Sequence, residues 1–299
     1  MVATSLTRQN RPVAAVYRGS VACQGCAESV YRLLENSPAN FQVKYLGPAE
    51  AQDVTANSLQ GVSLFAWPGG GDNVDTDYRR VSNYRNPIQD FVRNGGLYAG
   101  FCFGAFLTRG SRSAFFGLLP EGNYVDSERT ASGAQVTSSR DTIAQVDWTF
   151  RTGSKQGLTE ANRWMYFQDS GRIVLNAATQ ASSTILARYS YTKNICAAIM
   201  PYGNGRVGVV GTHPEAEQGW YTGYRLTNPD GVQFDMGYDF VQSLYTSGSS
   251  LNTTNPAGNI TGNTTSTTRS AVEGVVAPVG LGQLGSVVLL AVWGLSLFR

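Results

Sequence analysis

Apolar residues fall in short runs separated by breaks rich in Gly, Pro and Asn. Val13 to Tyr17 is a continuous apolar run of strand length, as expected where both faces of a strand are covered, and it stops at Arg18-Gly19-Ser20. From Cys26 to Glu35 the spacing turns helical, with Val30, Leu33 and Leu34 on one face, until Asn36-Ser37-Pro38 ends it. Phe41 to Leu46 alternates and reads as a second strand. Val62 to Trp67 reads as a third, delivering the chain into Pro68-Gly69-Gly70-Gly71-Asp72. A helix over Pro87 to Asn94 turns Ile88, Phe91 and Val92 inward and ends at Gly95-Gly96, and Leu97 to Phe101 is a fourth strand. Strands alternating with helices across short connections predict an α/β domain with a parallel sheet and right-handed crossovers.

Between Phe115 and about Gln180 the pattern weakens. Val146 to Phe150, Trp164 to Phe167 and Ile173 to Leu175 suggest smaller, partly antiparallel strands. Clearer strands return at Thr184 to Tyr191, Ile195 to Met200 and Arg206 to Val210, the last two joined at Gly203-Asn204-Gly205. A helix from Asp235 to Tyr245 closes a domain spanning 13–246, after a polar segment 1–12. Residues 247–270 are mostly Ser, Thr, Asn and Gly, which cannot bury a core, and carry glycosylation sequons at Asn252, Asn259 and Asn263.

The segment 271–299 ends in an apolar stretch interrupted by Pro278, Gly280, Gly282, Gln283 and Gly285. Small residues, a short spacer and an apolar tail match a glycosylphosphatidylinositol attachment signal better than a plain membrane span. A membrane-attached, extracellular location is therefore expected. No apolar signal-peptide core is visible after Met1, so an anchored protein would start upstream or use a weak signal.

Composition narrows the function. A net charge of +2 with no basic run argues against nucleic acid as a partner. Four cysteines, Cys23, Cys26, Cys102 and Cys196, are too few for a disulfide-built scaffold. Gly100-Phe101-Cys102-Phe103-Gly104 has the form of a nucleophile elbow, a strand running into a sharp turn with a cysteine at its apex. A thiol attacks a carbonyl usefully only as thiolate, so it needs a base or a field. The only histidine, His213, follows the last main strand, and neighbouring parallel strands end on one edge of the sheet. Glu215 is placed to orient that imidazole. Gly69, Gly70 and Gly71 end another strand there, and with the Phe103 amide they supply candidate oxyanion donors.

Cys23 and Cys26 imitate a redox motif, but a structural disulfide is expected, between them or from one of them to Cys196. Arg18 is a candidate ligand for a substrate carboxylate, or else part of a structural ion pair. Trp220, Tyr221 and Tyr224 either wall the pocket or pack beneath the terminal helix, and packing is the expectation. The pattern calls for no metal and no cofactor.

The glycine loop, the elbow and His213-Pro214-Glu215 resemble the class I glutamine amidotransferase-like superfamily. Val16-Tyr17-Arg18-Gly19 leading into Cys23 to Cys26, Gly104-Ala105-Phe106 and Gly211-Thr212-His213-Pro214-Glu215 are similar, more narrowly, to the domain at the N-terminus of fungal biotin-protein ligases. The resemblance covers about Val13 to Tyr245. It implies a flavodoxin-like three-layer sandwich with a mostly parallel central sheet and some antiparallel strands, with Cys102 as nucleophile, His213 as base and Glu215 as orienting carboxylate. Glutamine amidotransferases place His-Gln or a similar pair after the elbow, where this chain has Ala105-Phe106. The expected activity is that of a cysteine-dependent, amidase-like or hydrolase-like protein acting through a thioester on a small-molecule or peptide amide or ester. A cell-surface binding module on the same fold is the alternative, and a dithiol redox protein a third possibility.

Overall fold

The computed structural model describes residues 11–71, 73–110 and 115–246. The sequons at Asn252, Asn259 and Asn263, the linker 247–270 and the apolar segment 271–299 lie outside the described residues, as do 1–10 and Asp72. Strand β1 (Val13–Tyr17) shows why its run is apolar throughout. Ala14 and Val16 point into one core with Leu33 and Leu34 of α1 (Cys26–Asn36), while Ala15 and Tyr17 point into a second core on the opposite face. Each fully buried aliphatic or aromatic side chain contributes about 1.5–3 kcal/mol, so a strand covered twice is held from both sides.

The chain continues through β2 (Gln42–Leu46), β3 (Leu64–Trp67), α2 (Val74–Val81), α3 (Arg85–Arg93), β4 (Leu97–Phe101) and the single turn α4 (Phe103–Phe106). Helix α2 escapes the apolar pattern because it buries little besides Val81; Asn73 starts it by accepting a hydrogen bond from the Thr76 amide. Then follow β5 (Tyr124–Ser127), β6 (Thr142–Thr149), β7 (Thr159–Phe167), β8 (Gly171–Val174), α5 (Ala177–Ala181), β9 (Thr184–Tyr189), β10 (Ile195–Tyr202), β11 (Gly205–Val210), α6 (Gln218–Gly223) and α7 (Asp235–Thr246).

The sheet order is β2-β1-β3-β4-β11-β10-β9-β6-β7, with β8 pairing β10 and β5 pairing β8. From β2 to β11 all neighbours are parallel, and beyond β11 all are antiparallel. Helices α1 and α7 cover one face of the parallel half, and α3 and α4 the other, giving the α/β sandwich that the family resemblance implies. The ends of β3, β4 and β11 share one edge.

The short pieces read around Val146 and Trp164 belong to the longer strands β6 and β7. Asn162, at φ 58, sits where the β6–β7 register slips between Val146 and Trp148, and this bulge breaks the alternation. Buried Asp239 fastens α7 to the end of β6. It accepts from Trp148 Nε1 (2.9 Å), the amides of Arg151 (2.9 Å) and Thr152 (2.8 Å), and Thr152 Oγ1 (2.7 Å).

Candidate active site

Cys102 follows β4 at φ 46 and ψ −103, a conformation that L-residues rarely adopt. Two glycines make the turn sterically possible. A Cβ on Gly100 would lie 2.6 Å from the Gly104 carbonyl oxygen, and one on Gly104 would strike the Trp67 carbonyl. The Cys102 amide donates to Val210 O (2.9 Å), locking the elbow to β11. Its Sγ faces Gln168 O at 3.8 Å. The Phe103 amide, in the first turn of α4, has no intrahelical acceptor.

His213 leaves β11 beside this turn. Its amide donates to Tyr166 O (3.2 Å), adding a rung between the His segment and β7. The ring is 2% exposed, with the Tyr166 ring edge-on at 5.8 Å and the Trp220 ring at 5.1 Å. Nδ1 lies 2.9 Å from Glu215 Oε1, and Glu215 is fully buried. That bond fixes the ring so that Nε2, which makes no hydrogen bond among the described residues, is the nitrogen left for chemistry. Burial pulls the imidazole pKa down, but the negative charges of Cys102 and then Glu215 outweigh it and push it up to about 10.

Gly69 sits against both side chains. A Cβ there would lie 2.8 Å from His213 Cε1 and 3.7 Å from Cys102 Cβ, so the two residues converge on one point despite their distance along the chain. Gly70 (φ 147) and Gly71 (φ 72) need glycine for their backbone, and Gly71 abuts the Phe103 ring. Gly70, Gly71, Cys102, Phe103, Phe106 and Arg109 line a cleft of about 510 Å³, with Asp126, Gln168 and Asp169 on its far wall. Larger clefts of about 600 and 690 Å³ elsewhere hold none of these groups.

Arg18 is not part of this cleft. Its guanidinium is held by Glu50 (2.6 and 3.0 Å) and Glu28 (3.2 Å) and stacks on Tyr45 at 3.7 Å, because those carboxylates lie closest to the end of β1. The cation in the cleft is Arg109, which nothing in the sequence pattern singles out. It donates from Nε to Val125 O (3.0 Å), lies 5.0 Å from the Phe115 ring, and has no carboxylate partner among the described residues. The acidic wall is already neutralised: Asp126 pairs with Arg172 (2.5 Å) and Asp169 with Arg129 (2.8 Å).

The late aromatics do not pack beneath α7. Trp220 and Tyr221 stand edge-on to Tyr166, each at 5.3 Å, and so back the histidine, while Tyr224 is 58% exposed. Cys23 and Cys26 form a disulfide, whereas Cys196 is a free, buried thiol 3.3 Å from Thr212 Oγ1, which excludes its pairing with either. Burial pushes the Cys196 thiol up. Among the described residues no cluster of His, Cys, Asp and Glu is placed to hold a metal ion.

The other element that the sequence pattern hides is the turn from Tyr166 to Gly171. Tyr166 O holds the His213 amide, Gln168 O faces the Cys102 sulfur, and Gly171 O crowds Gly211. Its only sequence signal is Asp169-Ser170-Gly171, a turn-forming triplet with Asp169 at φ 39.

The family model for the N-terminal part of biotin-protein ligase matches residues 14–233. No curated protein sequence matches. Among solved structures, PurLQS from Thermotoga maritima is 18% identical, covering 79% of this chain and 99% of its own, with a TM-score of 0.51, and shows the same fold. A glutamine amidotransferase from Thermotoga maritima (11% identity, 79% and 98% coverage, TM-score 0.49) and another glutamine amidotransferase (17%, 71% and 96%, TM-score 0.47) are also similar.

Proposed function

Because the chain belongs to the biotin-protein ligase N-terminal family, whose glutamine amidotransferase-like fold it carries, we propose that it is a cysteine-dependent hydrolase of an amide or ester carbonyl. The observation that supports this most directly is the convergence of Cys102 and His213 on Gly69, with Glu215 behind the imidazole.

In the proposed reactive pair the Cys102 proton is passed to His213, whose pKa is pushed up to about 10 beside that sulfur and Glu215. The thiolate attacks the carbonyl carbon, and the oxyanion forms towards the Gly70, Gly71 and Phe103 amides. As the C–N or C–O bond breaks, His213 Nε2 gives its proton to the leaving amine or alcohol, leaving a thioester on Cys102. The neutral imidazole then takes a proton from water, the hydroxide adds to the thioester, and the acid departs as the thiolate returns. Glu215 stabilises the imidazolium at both stages.

The test is turnover of 4-nitrophenyl acetate and of acyl 4-nitroanilides by wild type, Cys102→Ala and His213→Ala, with the rate of Cys102 alkylation by iodoacetamide at about pH 7 in the proteins that retain the thiol. Fast alkylation that His213→Ala slows, with turnover lost in both variants, is the expected result. A Cys102 that labels no faster than a free thiol, with no turnover, would leave a non-catalytic binding module. We also propose a cell-surface location, in keeping with the three sequons, the apolar C-terminal segment and a disulfide suited to an oxidising compartment. A mobility shift on N-glycosidase treatment checks it.

A further inference from the structure

We propose that the Cys23–Cys26 disulfide is a positioning element for the oxyanion loop, so that its reduction by a dithiol disables acyl transfer while leaving the nucleophile intact. The inference rests on the hydrolase reading above. The Cys23 amide donates to Gly69 O (3.1 Å), and Ala22 forms an antiparallel bridge with Gly70. The approach is so close that a Cβ on Gly70 would lie 2.7 Å from Cys23 N and 2.8 Å from Ala22 Cα. The glycine loop thus lies directly against the strand of chain that carries Cys23.

At the other end of the bridge, Cys26 is 1% exposed and is the first residue of α1, whose Ala27, Val30, Leu33 and Leu34 are packed on the sheet. The disulfide therefore carries the rigidity of a packed helix into a loop that has glycines at 69, 70 and 71 and little side-chain packing of its own. Gly25, at φ 80, makes the tight turn between the two sulfurs. Cys23 is half-buried and Gln24 beside it is exposed, so a small dithiol reaches the bridge from solvent. Reduction transfers two electrons and two protons: the S–S bond breaks, two thiols form, and the dithiol leaves as its cyclic disulfide.

The bond Cys26 N–H to Cys23 O (3.2 Å) survives reduction, so the loop loosens rather than unfolds. The expected loss in kcat is about tenfold, below the roughly 10²–10³ for deleting an oxyanion donor outright.

Alkylation of a thiolate by iodoacetamide forms no oxyanion, whereas acyl transfer does, and this separates the two roles. Wild type, dithiothreitol-reduced wild type and Cys23→Ala/Cys26→Ala are compared for 4-nitrophenyl acetate turnover and for Cys102 alkylation rate, with mass spectrometry confirming the bridge state and melting curves confirming the fold. We expect kcat to fall in both opened forms, KM and alkylation rate to stay within about twofold, and reoxidation of the wild type to restore kcat. Unchanged kcat in a verified opened form overturns the proposal. If no form turns over, the hydrolase reading fails on its own, and amide hydrogen exchange over residues 68–71 decides: faster exchange on opening keeps the positioning role, and unchanged exchange removes it. Should the double variant fail to fold, the reduced wild type carries the same comparison by itself.

Discussion

The two halves of the sheet contribute differently to one site. The parallel half, β2 to β11, presents three strand ends on one edge and so supplies Gly69 to Gly71, Cys102 and His213. The antiparallel half supplies no group that reacts in the proposed cycle. In strand order β7 is four places from β11, yet its end curls back far enough for Tyr166 to pair with His213. Parallel strands deliver reactive groups to a common edge as a matter of topology, whereas the returning ribbon fixes their orientation, through carbonyls and ring edges placed against them.

The largest expected effect comes from the parallel half. Cys102→Ala should remove turnover by a factor of about 10⁴ or more, with an unchanged melting temperature in calorimetry. Gly69→Ala comes next, since its methyl would press on the imidazole at 2.8 Å; we expect a roughly 10²-fold loss in kcat with little change in KM. On the antiparallel side, Tyr166→Leu keeps the backbone bond to His213 but loses the ring packed on it, and should lower kcat about tenfold. Equal losses from Gly69→Ala and Tyr166→Leu would erase the distinction between delivery and orientation.

Smaller effects sharpen the picture. Arg109→Gln should raise KM about tenfold for substrates carrying a carboxylate and leave neutral ones unaffected, because Arg109 is the cleft cation without a carboxylate partner among the described residues. The imidazole also links pH to stability. Its folded-state pKa of about 10 exceeds the ordinary 6.5, so the stabilisation gained on protonation is full below pH 6.5 and is lost as pH rises through 10. Urea unfolding of wild type and His213→Gln should therefore show a gap that narrows across that window. Asp239→Ala lies outside both roles. It should cost about 3 kcal/mol of stability, through the donors it strands, and leave kcat unchanged.

Sequence legibility follows the same division. β1, β3, β4 and β11 are buried on both faces, so their apolar runs stand out, and the glycines, Cys102 and His213 at their ends are readable by position. β7 begins with exposed Thr159, Asn162 and other polar residues, and its bulge scrambles the period, so both its extent and its return to the active edge go unseen. Arg18 stands out because it ends a strand, but one-dimensional reading cannot know that Glu50 is folded beside it. Arg109 follows α4 without any pattern of its own, and the Asp239 cage joins residues 87 to 91 positions apart. Delivery is written locally, and orientation in long-range contacts.

A chain with a single histidine, and that one hydrogen-bonded to Glu215, has a practical advantage. Its imidazole C–H signals in a proton NMR spectrum need no assignment by mutagenesis. Any ligand, inhibitor or redox change that reaches the Cys102 cleft can therefore be followed, in unlabelled protein, as the movement of one known resonance.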